Sequence, residues 1–195
     1  MRWLIPCMLV LFSCSPRGSE IPLLNSGVQF SNDINRGVSF ENPEGESFNL
    51  RYIPVRVQND TTISITIDLY FPKGYLSGFE DEGFRVIPLE RQWAVNGVDI
   101  TKAMIAELWP TVLQPTMSLT LDPGEEALFG LGAVYPKPAV SRGLLPKTLG
   151  FETQTDTSGC LLLRGADGVA SNLSLRLKTG DQCLVIPCGS LRAGN

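Results

Sequence analysis

A strict alternation of apolar and polar side chains over residues 63–71 is the clearest pattern in the chain. The apolar row is Ile63, Ile65, Ile67, Leu69 and Phe71, and the polar row is Thr62, Ser64, Thr66, Asp68 and Tyr70. A period of two places one row in a core and the other toward solvent, so this segment predicts a strand with one exposed face. Residues 48–57 alternate in a similar way, and the intervening Asn59 and Asp60 are turn formers. The two segments are therefore expected to form an antiparallel hairpin.

Short apolar segments separated by turn residues continue along most of the chain. Residues 28–30 and 38–40 indicate two short strands, which flank the turn-rich residues 31–37. Further strands are predicted at residues 84–89, 116–121, 127–135, 149–153, 160–164, 173–177 and 183–186. Many short strands at this spacing, without alternating helices, predict an all-β fold, specifically an immunoglobulin-like antiparallel β-sandwich.

One segment, residues 100–109, has the period of a helix instead. Its apolar face is formed by Ile100, Met104, Ile105 and Leu108. Asp99 is placed to cap the first turn, and Pro110 is expected to end the helix. We expect this one short helix to cross one end of the sandwich and cover the core. The alternative is that its apolar face docks a partner.

Composition narrows the possible functions. The chain has no histidine, so it cannot build Ser-His-Asp or Cys-His catalysis or a His-ligated metal site. Its formal net charge of -4 combines 16 basic and 20 acidic residues without a basic cluster, so no nucleic-acid partner is expected. The sequence therefore indicates a protein that is not an enzyme, or else an enzyme that works through carboxylates, Lys, Tyr or Cys.

The N-terminus carries the pattern of an export signal. Arg2 precedes an apolar run over residues 3–12, which has the length of the hydrophobic region of a signal peptide and is too short to span a bilayer. Residues 11–14, Leu-Phe-Ser-Cys, close this run. They resemble the lipobox of bacterial lipoproteins, with an aliphatic residue three positions before the cysteine and a small residue just before it.

The resemblance implies how the mature protein is anchored. In that family the chain is cut at the position between Ser13 and Cys14, and the cysteine then carries a diacylglycerol and an N-acyl chain. Each buried CH₂ of these chains contributes about 0.8 kcal/mol, so two or three chains make a stable anchor. The alternatives are an ordinary secretory signal that is cut further along, and a buried N-terminal strand with an incidental cysteine.

The implied organisation is a signal peptide at residues 1–13, a lipid-anchored flexible tether at 14–27 and one β-sandwich domain at 28–195. The protein would then lie in the cell envelope, on the outer membrane or on the outer face of the inner membrane. Beyond the lipids on Cys14, no cofactor is expected.

Three cysteines remain in the predicted domain, namely Cys160, Cys183 and Cys188. An oxidising compartment permits a disulfide, but sequence does not give the pairing. We expect one disulfide and one buried thiol. A redox or nucleophilic cysteine is the alternative, although no C-x-x-C motif at a helix start supports it.

Acidic and aromatic side chains supply the remaining candidates. Glu80, Asp81 and Glu82 form a weak candidate for calcium, and otherwise they are a solvated loop. With Asp68 they could also supply the carboxylate pair of a glycosidase-like hydrolase. The aromatic candidates for a carbohydrate or peptide platform are Tyr52, Tyr70, Trp93 and Trp109.

The sequence as a whole predicts a lipid-anchored envelope protein with a non-catalytic binding or structural role. The partner is expected to be an envelope protein or a glycan. A small hydrolase that uses paired carboxylates is the alternative.

Overall fold

The computed structural model describes residues 26–71, 85–95, 101–113, 116–137, 145–154, 159–162, 171–180 and 182–194 of the 195-residue chain. The strands in these ranges are β1 (Val28–Asn32), β2 (Arg36–Glu41), β3 (Ser47–Asn59), β4 (Ile65–Tyr70), β5 (Arg85–Leu89), β6 (Thr116–Leu121), β7 (Glu126–Pro136), β8 (Leu145–Phe151), β9 (Cys160–Leu162), β10 (Leu173–Thr179) and β11 (Gln182–Ala193). The helix α1 covers Lys102–Leu113, and short 3-10 turns cover Arg91–Trp93 and Glu152–Gln154.

The strands form two sheets that face each other. The first sheet has five strands in the order β1-β3-β7-β5, with β2 also paired to β3. The second has six strands in the order β6-β4-β11-β10-β8, with β9 also paired to β11. The β9–β11 pair is parallel, and the other described pairs are antiparallel. The prediction of an all-β sandwich is confirmed, whereas its immunoglobulin-like detail is not.

The alternating segment forms β4 with the predicted exposed face, since Ile65, Ile67 and Leu69 are buried and Tyr70 is exposed. The predicted hairpin of β3 with β4 is wrong. β3 pairs with β1, β2 and β7 in the first sheet, whereas β4 pairs with β6 and β11 in the second. The residues between them carry the chain from one sheet to the other, and Ile63 is 47% exposed there rather than part of the core row.

β1 and β2 lie end to end along the same edge of β3. Asn32 pairs with Val55 and Arg36 pairs with Tyr52, so the edge strand is interrupted opposite Pro54. The carbonyl of Pro54 accepts a bond from Asp33 N at 3.0 Å, which places the ring nitrogen of Pro54 on the same side. Proline has no N–H to offer a neighbouring strand, and this accounts for the interruption.

The main core lies between the two sheets. It is formed by inward-facing side chains that include Ile53, Val55, Val57, Ile65, Ile67, Leu69, Phe129, Leu131, Leu149, Phe151, Leu175 and Ile186. Most of these side chains are fully buried, so each contributes roughly 1.5–3 kcal/mol relative to exposure. This apolar contact between the sheets is the principal source of the stability of the fold.

A second core lies on the opposite face of the first sheet. Its members are Phe40, Phe48, Leu50, Tyr52, Ile87, Leu89, Trp93, Met104, Leu108, Val112 and Val134. Met104, Leu108 and Val112 come from α1, which therefore covers this outer face as a third layer. The expectation that the helix crosses one end of the sandwich is wrong, because the first sheet has apolar side chains on both faces.

The ends of α1 also differ from expectation. Thr101 caps the described helix, since its Oγ1 accepts a bond from Met104 N at 3.2 Å, and Asp99 lies outside the described residues. Pro110 does not end the helix but lies inside it. An internal proline costs about 3 kcal/mol, and burial of Leu108 and Val112 on either side of it offsets that cost.

The strand boundaries are close to those predicted for β6 and β7 and less so elsewhere. β8 begins earlier, at Leu145, and β11 continues well past Ile186 to Ala193. A tight turn follows β6, with Gly124 at a φ of 79° and Glu125 N bonded to Asp122 O at 3.0 Å. Glycine adopts this conformation without the steric cost that a Cβ imposes.

Candidate functional site

Several candidates from the sequence lie outside the described residues. These are Ser13 and Cys14 of the lipobox and the acidic residues Glu80, Asp81 and Glu82. Lipidation and the weak calcium site therefore stay predictions. Within the described ranges, no group of three or more Cys, Asp or Glu side chains is arranged to hold a metal ion.

The cysteines form one disulfide and one buried thiol, as expected. Cys160 of β9 lies directly opposite Cys183 of β11, with 4.4 Å between their Cα atoms, and the two are joined. Cys188 is free and buried. Burial raises the pKa of its thiol far above the ordinary value, which disfavours the thiolate that nucleophilic or redox chemistry requires.

Asp68 lies on the outer face of the second sheet and is tied to two neighbouring strands. Its carboxylate accepts bonds from Ser118 Oγ at 2.6 Å and from Arg192 Nε at 2.9 Å. The Ser118 hydrogen bond, and then the Arg192 hydrogen bond and charge, lower the pKa of Asp68. A general acid in glycoside hydrolysis needs the opposite shift, so Asp68 is suited to bridging strands rather than to donating a proton.

The aromatic candidates are not brought together into a platform. Tyr52 and Trp93 are 3% exposed and pack edge to face at 5.6 Å in the second core. Trp109 packs on Phe48 at 5.0 Å at the other end of that core. Tyr70 alone is exposed, and it belongs to the other sheet.

A groove lies between α1 and the hairpin of β2 and β3. It has a volume of about 670 Å³ and is bounded by Ser39, Phe40, Glu41, Asn42, Pro43, Ser47, Ile105, Ala106 and Lys137. We call this the hairpin groove. Its volume falls in the range of ligand-binding sites, which combine apolar walls with a few polar groups.

The rim of the hairpin groove is a tightly bonded turn. Asn42 N donates to Glu46 O at 2.9 Å, Glu46 N donates to Asn42 Oδ1 at 2.7 Å, and Asn42 Nδ2 donates to Glu46 Oε2 at 2.8 Å. Gly45 completes the turn with a φ of 83°. A rim with this many internal bonds holds its shape, so a ligand would meet a preorganised wall.

The groove carries one acidic and one basic side chain on a partly apolar lining. Glu41 ends β2, and Lys137 follows β7, where its backbone N donates to Ser47 O at 2.8 Å. Phe40, Pro43, Ile105 and Ala106 supply the apolar surface, and Phe40 is only 6% exposed. The arrangement suits a ligand that has apolar groups together with charged or hydrogen-bonding groups.

Sequence reasoning did not predict this groove. Its residues come from β2, the start of β3, α1 and the end of β7, which are up to about a hundred positions apart. The signal that was present is the apolar face of α1, because covering a sheet with a helix creates a groove wherever the helix and a hairpin diverge.

Comparisons with known proteins assign no family. No family model matches the chain, and neither the curated proteins nor the solved structures include a significant match. No described helix is both long enough and apolar enough to cross a membrane.

Proposed function

We propose that this protein is a lipid-anchored cell-envelope module that binds an extended segment of another envelope protein and does not catalyse a reaction. The observation that carries the proposal is the hairpin groove, a preformed cleft of about 670 Å³ on a rigid double-core sandwich. The described candidates for catalysis do not offer an equivalent site, since Asp68 is held by Ser118 and Arg192 and Cys188 is buried.

The chemistry of the groove favours a polypeptide over a glycan. Glycan sites use exposed aromatic faces, and the ring that contributes to this groove, Phe40, is buried. Glu41 and Lys137 offer partners for charged groups at two points, and Ser39, Ser47 and Asn42 offer polar ones. An extended peptide presents backbone and side-chain groups at this kind of spacing.

Two features support an extracytoplasmic location. The lipobox-like residues ending in Cys14 imply an anchored N-terminus, and the disulfide of Cys160 with Cys183 is the kind of bond that persists in oxidising compartments.

Cys14→Ala in the full chain should abolish labelling by radiolabelled palmitate and release the protein from membranes. Unchanged labelling and partitioning would refute the anchor.

Photo-crosslinking in native envelopes tests the binding proposal. A photoreactive amino acid at Ala106, which is exposed in the groove, should give a discrete protein adduct. The matched control is the same residue at Ala103, which is exposed on the same helix but does not line the groove. Glu41→Lys should reduce the Ala106 adduct because it reverses the charge of one wall. Equal adducts from both positions, or none from Ala106, would contradict the proposal.

A further inference from the structure

The edges of the two sheets differ in how they are protected against pairing with another chain. Exposed edge strands are aggregation-prone, and proteins commonly guard them with charges, prolines, irregularities or covering groups. The described edges are β1 with β2 and β5 in the first sheet, and β8, β6 and β9 in the second; β9 has only three residues, which limits its pairing with another chain.

Both edges of the first sheet are guarded. The edge of β1 and β2 is interrupted opposite Pro54 and carries Arg36 and Glu41. β5 contains Pro88 and begins at a charged residue. These features either remove a backbone donor or place a charge where a second strand would lie.

The β8 edge is guarded by Pro146, by Lys147 and by a side chain from the other sheet. Asn32 Oδ1 accepts a bond from Leu149 N at 2.8 Å, and Asn32 Nδ2 donates to Leu149 O at 3.2 Å. The amide thus occupies both backbone groups of Leu149, as a neighbouring strand would.

Among the described residues, positions 116–120 of β6 have none of these guards, and the amide of Asn59 reaches the strand only at the carbonyl of its last residue, Leu121. Its sequence, Thr-Met-Ser-Leu-Thr-Leu, contains no charge and no proline, and it pairs with β4 in regular register over all six residues. Among the described residues, no strand pairs with its other side and no turn or loop backbone bonds to it. It is a regular edge built of residues with good strand propensity.

The β6 edge is complementary to itself. Thr116, Ser118 and Thr120 form the exposed row, while Met117 and Leu119 face inward and are only half buried. Antiparallel pairing of two copies about a two-fold axis keeps polar residues opposite polar ones and apolar opposite apolar. Because the strand is uncharged, self-pairing brings no like charges together, and hydroxyl pairs across strands are favourable.

We propose that β6 pairs antiparallel with β6 of a second copy of this chain, joining the two six-stranded sheets into one continuous sheet. The pairing would satisfy the open backbone groups of both edges and cover the half-buried sides of Met117 and Leu119. An interface of one strand pair is small, so the dimer is weak in dilute solution and is favoured where the protein is concentrated. The inference does not depend on the hairpin groove, which lies against the other sheet.

The test uses the full chain with single cysteines in the exposed row, namely Thr116→Cys, Ser118→Cys and Thr120→Cys. Near a two-fold axis such a residue lies close to its own copy, so a short bis-maleimide reagent should yield a product of twice the chain mass from at least one variant. Cys7 and Cys14 are changed to serine in every variant, and because Cys188 is buried and Cys160 is joined to Cys183, no other thiol competes. The matched control is Thr148→Cys on the guarded β8 edge, which should remain monomeric.

A charged side chain introduced into β6 should strongly reduce the association. Adding Thr120→Lys to the Thr116→Cys or Ser118→Cys variant, or Thr116→Lys to the Thr120→Cys variant, should lower the dimer yield by about tenfold, because a charged side chain on the strand guards its edge. Thr120→Val, which keeps the strand propensity, should leave the yield unchanged when added to a variant at another position. No dimer from any of the three positions, equal dimer from Thr148→Cys, or a product of a different mass would overturn the proposal. A different mass would assign the edge to another protein.

Discussion

The two sides of this sandwich are closed in different ways. On one side β1 of the first sheet meets β8 of the second, and the Asn32 amide bonds to both backbone groups of Leu149. On the other side β5 lies near β6, and no strand of the described residues pairs with the outer side of β6. One side is closed by a side chain from the same molecule, and on the other no described amide covers positions 116–120.

The comparison shows that a single amide can replace a strand at a sheet edge. Asn172 repeats the arrangement, since its amide bonds to both Leu191 N and Leu191 O of β11 where β10 has ended. An asparagine side chain has the donor and acceptor of a peptide group, so it satisfies both backbone groups at once. Such a residue satisfies an edge from within the molecule, whereas we propose that a second copy does so for β6.

The side chain of Asn59 holds the C-terminal end of β6. Asn59 is fully buried, and its Nδ2 donates to the carbonyls of Leu121 and Asp122, both at 3.1 Å. Its Oδ1 accepts bonds from the backbone and hydroxyl of Thr61. The contact ties the C-terminal end of β6 to β3.

The largest change in the free energy of unfolding is expected from removing the buried hydrogen bonds of Asn59. Asn59→Ala removes several buried hydrogen bonds and leaves their backbone partners unsatisfied, so we expect the free energy of unfolding to fall by about 4 kcal/mol. Urea denaturation measures the change. Gln58→Ala, an exposed neighbour on the same strand, should cost less than about 0.5 kcal/mol. A loss of similar size in both variants would show that the buried network contributes little.

The disulfide is the next test, because it holds β9 next to β11 on the open side. Replacing both Cys160 and Cys183 with serine should lower the free energy of unfolding by about 3 kcal/mol, since the unfolded chain gains the freedom of a loop that spans 23 positions. The wild-type chain under reducing conditions should show the same loss. Equal stability of oxidised and reduced protein would contradict the expectation.

Breaking the closed side should have a smaller effect. Asn32→Ala leaves Leu149 N and Leu149 O without their partner, but these groups are only partly buried and water can replace part of the loss. We expect a decrease of about 1.5 kcal/mol in the free energy of unfolding. Gln29→Ala, exposed on the same strand, is the control. If Asn32→Ala costs no more than this control, the amide is not closing the edge.

The smallest change in stability is expected at the exposed hydrogen bond between Asp68 of β4 and Ser118 of β6. The lowered pKa of Asp68 means that its contribution to stability is present above the unfolded pKa of about 4 and is lost as the pH falls through the lower folded value. Because the group is more than a third exposed, we expect only a few tenths of a kcal/mol. Asp68→Asn should flatten the acid limb of stability against pH by this amount. Glu44→Gln controls for the lost charge, and an identical limb in Asp68→Asn and wild type would contradict the expectation.

Local alternation predicted the position of most strands and the buried face of β4. It placed Ile65, Ile67 and Leu69 in the core, and it gave the bounds of β6 without error. It could not predict partners, because the residue that redirects the chain between β3 and β4, Asn59, bonds to Leu121, which is 62 positions away. An asparagine at the centre of a buried hydrogen-bond network cannot be distinguished in sequence from an asparagine in a turn.

The sequence by itself determined the all-β class, the faces of the strands, the apolar face of the helix and the expectation of one disulfide with one buried thiol. Each of these follows from side-chain period or from a count of residues, both of which are local. The tertiary structure decided which strands pair, where the helix lies, where the hairpin groove opens and which edge stays open. Those features depend on contacts between segments that are distant in sequence, such as Asn32 with Leu149. A local sequence pattern does not indicate which distant residues will meet.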